Sequence, residues 1–273
     1  MTCECCGAMM RKRSSWRWFC DVCRFQSSDL KPSPGTGIAG LEHLRRENYQ
    51  VLLNRLEKIK PLQGLKVLEI GCAWGWFLEM ASERGAIVTG LEPEEPNAKL
   101  TQAKGFEVLN DLFPSKHLQG RKFDVIIFND VFEHIPKPSM AVQHIQDLLA
   151  SDGVLVWNYP SSNGFLFKLA ELLSFLGVNG PIKRLWQWGM ASPHVSYFNP
   201  ANLKALVTRH SSLDLTDQFR LKSVSRNGLI PRIKASYSGF AGIFVLCVIY
   251  LLSFILELFD SDIEASFFEF HSK

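Results

Sequence analysis

The chain has 273 residues, 47% of them hydrophobic, and a formal net charge of only +3. This length and composition allow one large α/β core with appendages and exclude a disordered or fibrous protein. The small charge gives no reason to expect general affinity for nucleic acid. The N-terminus has no apolar core of the signal-peptide kind, so we expect a cytoplasmic protein whose thiols stay reduced.

Five of the seven cysteines lie in the first two dozen residues. Two Cys-x-x-Cys pairs, Cys3/Cys6 and Cys20/Cys23, stand about a dozen residues apart, the geometry in which four thiolates close a tetrahedral zinc site. Residues 1–26 are therefore predicted to be a zinc ribbon that holds structural Zn²⁺, because so short a piece has no core of its own. Unligated, reduced thiols are the alternative. Cys5 is a spare or a substitute ligand.

Between the two cysteine pairs, residues 11–18 interleave basic and aromatic side chains. A nucleic-acid-binding finger has this composition, but so does the solvated hairpin of a ribbon. We favour the hairpin and expect no nucleic-acid partner. Residues 27–60 are predicted to be a linker rich in proline and glycine, followed by an amphipathic helix from Leu41 to Ile59 that covers one face of a sheet.

The stretch from Leu65 to Leu78 predicts a strand, a tight turn and a helix. Its apolar run ends at Gly71, and apolar residues recur at helical spacing from Trp74. Small residues let a ligand approach the turn, and the helix N-terminus offers free N–H groups to an anion. A dinucleotide fingerprint would need glycine in place of Trp76, which argues against that ligand class.

The next predicted strand, Ala86 to Glu92, ends in an acid about twenty residues past Gly71, where a βαβ unit places a carboxylate beside a ribose. Glu92 is thus the candidate for the ribose hydroxyls. The alternative is a solvated residue that opens the following helix.

Three more apolar runs, 106–109, 123–129 and 153–160, continue the strand–helix alternation of a doubly wound parallel sheet. We expect a helix from Ser139 to Leu149 between the last two. After the third strand, Asp111 is either an acceptor for an adenine amino group or an ordinary loop aspartate.

Polar side chains also follow the fourth strand, where open α/β sheets bind their ligands. They are Asn129, Asp130, Glu133 and His134. A histidine at this edge is a candidate general base. A helix-capping or structural role is the alternative.

The segment Glu69-Ile70-Gly71-Cys72-Ala73-Trp74-Gly75 resembles the E-x-G-x-G-x-G motif of class I S-adenosylmethionine-dependent methyltransferases, from which Ala73 departs. Residues 124–127, 130–135 and 152–156 follow as in members of the methyltransferase-domain type. The resemblance implies an α/β, Rossmann-like fold with a seven-stranded, mostly parallel sheet. It implies that residues 61–160 are the core that binds S-adenosylmethionine. The expected cofactor-binding residues are Glu69, Gly71, Cys72, Ala73, Gly75, Glu92, Asp111, Asn129 and Asp130.

The N-terminal cysteines resemble the zinc ribbon of bacterial members associated with sugar and cell-surface polysaccharide modification, and residues 184–199 look like a substrate-side segment of that group. This implies O-methylation of a sugar, glycan or lipid-linked acceptor. His194 and His134 compete for the role of the base, and we favour His194 because it lies in the substrate-side segment. The alternative is a catalytically idle cofactor-binding scaffold, or an RNA-binding methyltransferase that uses the ribbon for recruitment.

Residues 161–199 begin with an apolar, aromatic stretch and are predicted to form a lid or substrate insert over the cleft. A purely structural helical insertion is the alternative. Residues 200–273 are predicted to complete the methyltransferase domain, with a helix from Pro200 and a strand near 213–224.

Residues 235–256 carry no charge and follow several basic residues, so they are predicted to associate with a membrane. Residues 263–270 have the composition of the last, antiparallel strand of such a sheet. We therefore expect the apolar stretch to lie on the inner face of the cytoplasmic membrane without crossing it. Burial in the core or in an oligomer interface is the alternative.

Overall fold

The structure is a computed structural model that describes residues 1–33, 41–223 and 262–270. Its strands are β1 (Arg11–Lys12), β2 (Arg17–Phe19), β3 (Gln26–Ser28), β4 (Lys66–Ile70), β5 (Ile87–Leu91), β6 (Glu107–Leu109), β7 (Phe123–Asn129), β8 (Leu149–Pro160), β9 (Ser196–Tyr197), β10 (Leu213–Leu221) and β11 (Ile263–Phe270). Its α-helices are α1 (Glu42–Ile59), α2 (Trp76–Ser82), α3 (Glu95–Ala103), α4 (Pro138–Leu148), α5 (Phe165–Phe175), α6 (Gly180–Leu185) and α7 (Pro200–His210).

The larger sheet has seven strands in the order β10-β11-β8-β7-β4-β5-β6. Five consecutive strands, β8, β7, β4, β5 and β6, run parallel to one another. Strand β11 runs antiparallel to both β8 and β10. The chain leaves β4 toward β5 and β6 and then returns to the other side of β4 as β7. This reversal opens a crevice at the carboxyl ends of β4 and β7. The predicted Rossmann-like class, with its antiparallel last strand, is confirmed.

Both faces of the sheet are covered, which explains the continuous apolar runs of its central strands. Val67 and Ile127 point to the face that α1 covers with Leu52 and Leu56. The opposite face meets α4 and α7 in a second buried cluster, which contains Ile126. The sheet is therefore a rigid base, and polar residues gather where its strands end.

The smaller sheet joins the N-terminus to the far end of the insert, in the order β1-β2-β3-β9. Gln26 pairs with Tyr197 and Ser27 with Ser196 in an antiparallel register. Phe25 also packs on Phe198, with ring centroids 5.2 Å apart. We call residues 1–33 the cysteine module; it is bonded into the body of the protein through β9.

The insert contributes α5, α6 and β9. None of the helices in the described residues is both long and apolar enough to cross a membrane. The predicted membrane-associating stretch, 235–256, and part of the predicted linker, 34–40, lie outside those residues. β11 begins next to α5, where an Asp262 carboxylate oxygen accepts a hydrogen bond from the Leu166 amide at 2.8 Å.

Candidate active site

The turn after β4 has a backbone that glycine makes possible. Gly71 has φ +71°, and a Cβ there would lie 2.5 Å from a methyl group of Val131. Gly75 has φ +75°, and its Cβ would lie 2.5 Å from Thr101. A side chain at either position would clash and strain the turn. The glycines therefore keep the backbone close to the cleft.

Ala73 replaces the middle glycine of the motif and still adopts a left-handed conformation, with φ +44°. Its amide donates to the Glu92 carboxylate at 2.8 Å, and its carbonyl accepts from the Thr101 hydroxyl at 2.8 Å. These two bonds offset the cost of a positive φ in a residue with a Cβ. The departure from the motif thus leaves the turn intact.

Glu92 connects the turn to the end of β5. Its second carboxylate oxygen accepts from the Glu94 amide at 2.9 Å. Burial raises the pKa of Glu92, while the bonds from the two backbone amides oppose that shift. The carboxylate is thus fixed in position at the edge of the cleft.

A cleft of about 1030 Å³ lies at the carboxyl ends of the parallel strands. One side of the cleft consists of the glycine turn and the residues that follow β5, β6 and β7. We call it the cofactor wall, because the sequence predicts cofactor-binding residues there. Another side consists of residues 27–32 of the cysteine module and of residues 187, 191–193, 195 and 196 of the insert. We call it the acceptor wall, because the sequence predicts a substrate-side segment at residues 184–199. The volume suits a cofactor together with a second small molecule.

Six of the nine predicted cofactor residues line this cleft, and they are Gly71, Ala73, Glu92, Asp111, Asn129 and Asp130. The other three, Glu69, Cys72 and Gly75, do not line it. Glu69 is buried beneath the turn, and the Cys72 sulfur packs against Gly90 on β5. These two residues therefore support the turn from behind.

A row of hydrogen bonds under the cleft fixes the end of β7. Asn129 donates to Glu69 at 2.8 Å, Asn158 donates to Asn129 at 3.0 Å, and the Asp130 amide donates to the Asn158 side-chain oxygen at 2.8 Å. Asp130 is held at φ +54°. Burial raises the pKa of Glu69 to about 8, so Glu69 is a neutral acid at pH 7.

Asp111 and Trp74 both line the cleft, but the sequence predicted only Asp111 as a site residue. Asp111, the predicted adenine partner, accepts from the Ser115 hydroxyl at 2.6 Å and from the Leu112 amide at 2.8 Å. The bond from Ser115 lowers the pKa of Asp111. Its carboxylate stays charged on the cofactor wall. Trp74, which also lines the cleft, stacks on Trp76 with ring centroids 4.7 Å apart, and we had not predicted it there.

Arg45 is a cleft residue that the sequence analysis missed. It lies on α1, and its Nε is 3.5 Å from the Asp130 carboxylate. The signal was present, because Arg45 falls at helical spacing with the buried residues Tyr49, Leu52 and Leu56. A cation on the buried face of a covering helix indicates an ion pair or a ligand site.

The two candidate bases lie side by side, with ring centroids 4.7 Å apart. His134 lines the cleft, and its Nδ1 is 3.0 Å from the Pro193 carbonyl and 3.1 Å from the Ser192 hydroxyl. Burial lowers the pKa of His134 to about 4. A ring with this pKa is neutral at pH 7 and has a free acceptor nitrogen, but it is a weaker base than an ordinary histidine.

His194 lies behind His134 and does not line the cleft. Its side chain is 7% exposed, and its Nε2 is 2.8 Å from the Gln187 amide nitrogen. Burial lowers the pKa of His194 well below the usual value, and the neighbouring His134 adds to the shift. Glu133, which we expected in the cleft, is buried with a carboxylate oxygen 3.9 Å from the His194 ring.

The cysteine module brings the four predicted ligands together. The sulfur atoms of Cys3, Cys6, Cys20 and Cys23 lie within 4.8 Å of one another, and the Cys3–Cys23 and Cys6–Cys20 pairs are each 3.5 Å apart. A tetrahedral zinc site with bonds of about 2.3 Å requires sulfurs about 3.8 Å apart. The cluster could therefore bind zinc.

The basic and aromatic residues of the β1–β2 hairpin are used within the protein. Arg11 pairs with Asp21, and Arg17 pairs with Glu171 of α5. The Trp18 indole donates to Asp29 at 2.9 Å. These contacts agree with a structural hairpin.

A crevice at a topological switch point, a glycine turn and an acid at the next strand end define the class of Rossmann-like methyltransferases. The family model described as a methyltransferase domain matches residues 41–211. The chain therefore belongs to the family of methyltransferase domains.

Curated relatives include two enzymes named ubiquinone biosynthesis O-methyltransferase. That of Actinobacillus pleuropneumoniae serotype 5b (strain L20) is 33% identical over 113 residues, which are 37% of this chain and 48% of the relative. That of Agrobacterium fabrum (strain C58 / ATCC 33970) is 31% identical over 121 residues, which are 42% and 48% of the two chains. The chain thus spans about half the length of these relatives.

Solved structures show the same fold at low identity. The chain is similar to a SAM-dependent methyltransferase from Archaeoglobus fulgidus, with TM-score 0.52, 19% identity, and coverage of 84% of this chain and 96% of that one. It is also similar to magnesium protoporphyrin IX methyltransferase from Synechocystis PCC 6803 with bound SAH, with TM-score 0.51, 15% identity, and coverage of 84% and 83%.

Proposed function

We propose that this methyltransferase transfers a methyl group to an oxygen of a lipid-linked sugar, glycan or other small acceptor at the inner face of the cytoplasmic membrane. The observation that carries the proposal is the composite acceptor wall, which continues into an insert with an exposed apolar helix. The names of the relatives matched over about half their length support an oxygen acceptor.

The apolar helix is α5. Phe165, Leu169 and Leu172 of α5, and Leu176 directly after its last residue, recur at helical spacing and are 42%, 41%, 56% and 67% exposed. So large a run of exposed apolar side chains indicates an interaction surface. Phe167 of the same helix packs on Tyr197, next to Ser196 of the acceptor wall. A membrane contact through α5 would therefore hold a lipid-linked acceptor beside the cleft.

S-adenosylmethionine supplies an electrophilic methyl group when it is bound. We assign its methionine part to the turn from Gly71 to Gly75 and its ribose hydroxyls to Glu92, which accepts hydrogen bonds from vicinal donors. Asp111 would accept from the adenine amino group. Transfer then depends mainly on the positioning of donor and acceptor.

We assign proton removal to the histidine pair, with His134 as the group that reaches the acceptor hydroxyl and His194 as the ring behind it. This differs in emphasis from the sequence, which favoured His194. His134 faces the cleft, and a base must come within hydrogen-bond reach of the proton. The Pro193 carbonyl accepts from Nδ1 and leaves Nε2 to receive the proton.

We also propose that the cysteine module is a zinc ribbon. The sulfur distances of the four cysteines fit a tetrahedral ion, and β1, β2 and β3 have only two or three residues each. Such short strands need a metal to hold them. The module would then be a metal-stabilised part of the acceptor wall.

The acceptor is tested by incubating the purified protein with methyl-tritiated S-adenosylmethionine and an extract of cell membranes. We expect label in the lipid-soluble fraction, on a product one methylene heavier by mass spectrometry and stable to acid as an ether. Fragmentation tells a sugar from another lipid-linked group. Calorimetric binding of the cofactor without turnover on any fraction would favour the idle scaffold instead.

Membrane contact is tested by sedimentation with vesicles of anionic phospholipid. We expect Leu172→Glu and Leu176→Glu together to abolish sedimentation, because charged groups replace the apolar face. The matched control is Leu100→Glu on α3, a leucine that is 48% exposed and far along the chain from the insert. Equal sedimentation of both variants would contradict the role of α5.

A further inference from the structure

A second cavity, of about 680 Å³, lies between the β1–β2 hairpin of the cysteine module and the helices α5 and α6 of the insert. Among the residues that the structure describes, it shares no lining residue with the cleft of the methyl-transfer site. Its size falls in the range of small-molecule sites. We call it the hairpin cavity.

The hairpin cavity has an excess of positive charge. Four basic residues line it, Arg11, Arg13, Arg17 and Lys183, and Glu171 is the one acid among its described lining residues. Arg11 pairs with Asp21, which does not line the cavity. Arg13 and Arg17 both pair with Glu171, Arg13 at 2.6 Å. Within the described ranges, Lys183 has no ion-pair partner; its ammonium lies 5.2 Å from the centre of the Trp188 ring. A single carboxylate therefore faces three cations.

Arg17 shows that this charge is incompletely compensated. Its side chain is 4% exposed, and its Nε has no hydrogen-bond partner in the part of the chain that the structure describes. Burial lowers the pKa of its guanidinium, and the charge of Arg13 adds to the effect. A buried cation that shares its only carboxylate is costly unless a further anion comes close.

Other lining groups suit the remainder of such a ligand. Trp16 and Trp188 meet edge to face, with ring centroids 5.0 Å apart, and Phe175 on the rim is 85% exposed. Ser14 and Ser15 add hydroxyl donors. The cavity thus combines cationic and hydroxyl groups with an aromatic flank.

We propose that the hairpin cavity binds the phosphate groups of a phosphorylated ligand, as a soluble diphosphate or as the headgroup of a lipid. Guanidinium groups present paired N–H donors that match phosphate oxygens. The aromatic flank would contact the planar or apolar part of the same ligand. This site goes beyond the proposed methyl transfer and does not depend on the acceptor.

The test uses the full-length, zinc-supplemented protein and two probes, ADP and vesicles that contain phosphatidic acid. Calorimetry and tryptophan fluorescence should both report ADP, because Trp16 and Trp188 line the cavity. We expect Arg13→Gln with Lys183→Gln to weaken binding at least tenfold. The matched control, Lys168→Gln, removes an exposed lysine of α5 that does not line the cavity, and it should change binding less than twofold.

The variant Glu171→Gln distinguishes a specific phosphate site in the hairpin cavity from nonspecific attraction to a basic surface. It removes the carboxylate that competes for Arg13 and Arg17, so it should tighten phosphate binding several-fold. Binding of ADP assigns a soluble diphosphate. Binding of phosphatidic acid vesicles alone assigns a headgroup when the double variant weakens it, because contact through the apolar face of α5 would survive the substitutions Arg13→Gln and Lys183→Gln. No binding of either probe, or equal binding by the double variant and the Lys168→Gln control, would overturn the proposal. Cofactor affinity, measured in parallel, shows that each variant is folded.

Discussion

The two walls of the cleft are built in different ways. The cofactor wall comes from turns that directly follow β4, β5, β6 and β7, so each part of it is local in the chain. The acceptor wall joins segments from the two ends of the domain: the Ser28 hydroxyl donates to the His194 carbonyl, 166 positions away, at 2.8 Å. One wall rests on a preformed sheet, whereas the other forms only after the cysteine module docks on the insert.

This difference gives the cysteine module a second role. The side-chain amides of Asn199 and Asn202, at the start of α7, donate to the Cys23 carbonyl at 3.4 and 3.2 Å. Asn199 and Asn202 also cap α7 reciprocally. These hydrogen bonds thus fix the end of the insert and the start of α7 against the cysteine module. Disturbing it should affect the acceptor wall and spare the cofactor wall.

The largest expected effect follows from loss of the zinc that we propose for the cysteine module. Chelation, or Cys20→Ser, should release zinc, unfold the module and lower methyl transfer by at least about 100-fold, because small displacements of an acceptor have large kinetic costs. Cofactor affinity should change less than about threefold, since the cofactor wall is built without the module. Metal analysis, turnover and calorimetry measure the three quantities.

The control for this change is Cys5→Ser. Cys5 is buried next to the cluster but is not one of the four grouped sulfurs. That variant should keep one zinc per chain. Zinc-free protein that turns over at the full rate would show that the acceptor wall does not need the metal.

The second prediction separates the two histidines. His134→Ala should lower kcat by about 10²–10⁴-fold if this ring is the base. His194→Ala should have a smaller effect, because it removes only the ring behind. With a pKa of about 4 for His134, activity should rise with pH through that value and then stay level toward neutrality. A larger loss for His194→Ala would restore the sequence-based preference.

How much of each wall the sequence predicted follows from the same comparison. The turn, Glu92 and the strand ends were found because glycine spacing and apolar runs are local signals. The sequence did not predict that Glu69 and Cys72 lie behind the turn, because the E-x-G-x-G-x-G pattern does not say which side chains face the ligand. For the acceptor wall, the sequence indicated only the insert side, residues 184–199. Its contact with the cysteine module had no local signal, because the pairing of Ser27 with Ser196 depends on where two distant segments meet.

The third prediction concerns the cofactor wall alone. Glu92→Gln keeps the shape of the side chain but removes its charge, so it should weaken S-adenosylmethionine binding by about 1.5–3 kcal/mol. Glu95→Gln is the matched control, because Glu95 is exposed on α3 and pairs with Lys99 one turn away. Calorimetry measures both. Equal affinity in the two variants would remove Glu92 from the cofactor site.

The smallest effect should come from Glu69, which supports the cofactor wall from behind. Its pKa is raised from 4.5 to about 8 by burial, so the folded state holds a proton that the unfolded state releases between these values. Its contribution to stability is therefore complete below about pH 4.5 and is lost as pH rises toward 8.

Glu69→Gln keeps an acceptor for Asn129 and cannot ionise. It should remove this part of the pH dependence, so that the variant gains stability relative to the unsubstituted protein as pH rises from 5 to 8. Urea unfolding at pH 5, 6.5 and 8 checks the slope, and Glu95→Gln, an exposed acid, should leave it unchanged. If Glu69→Gln instead destabilises the protein equally at all three pH values, the buried carboxyl is needed for a hydrogen bond that glutamine does not replace.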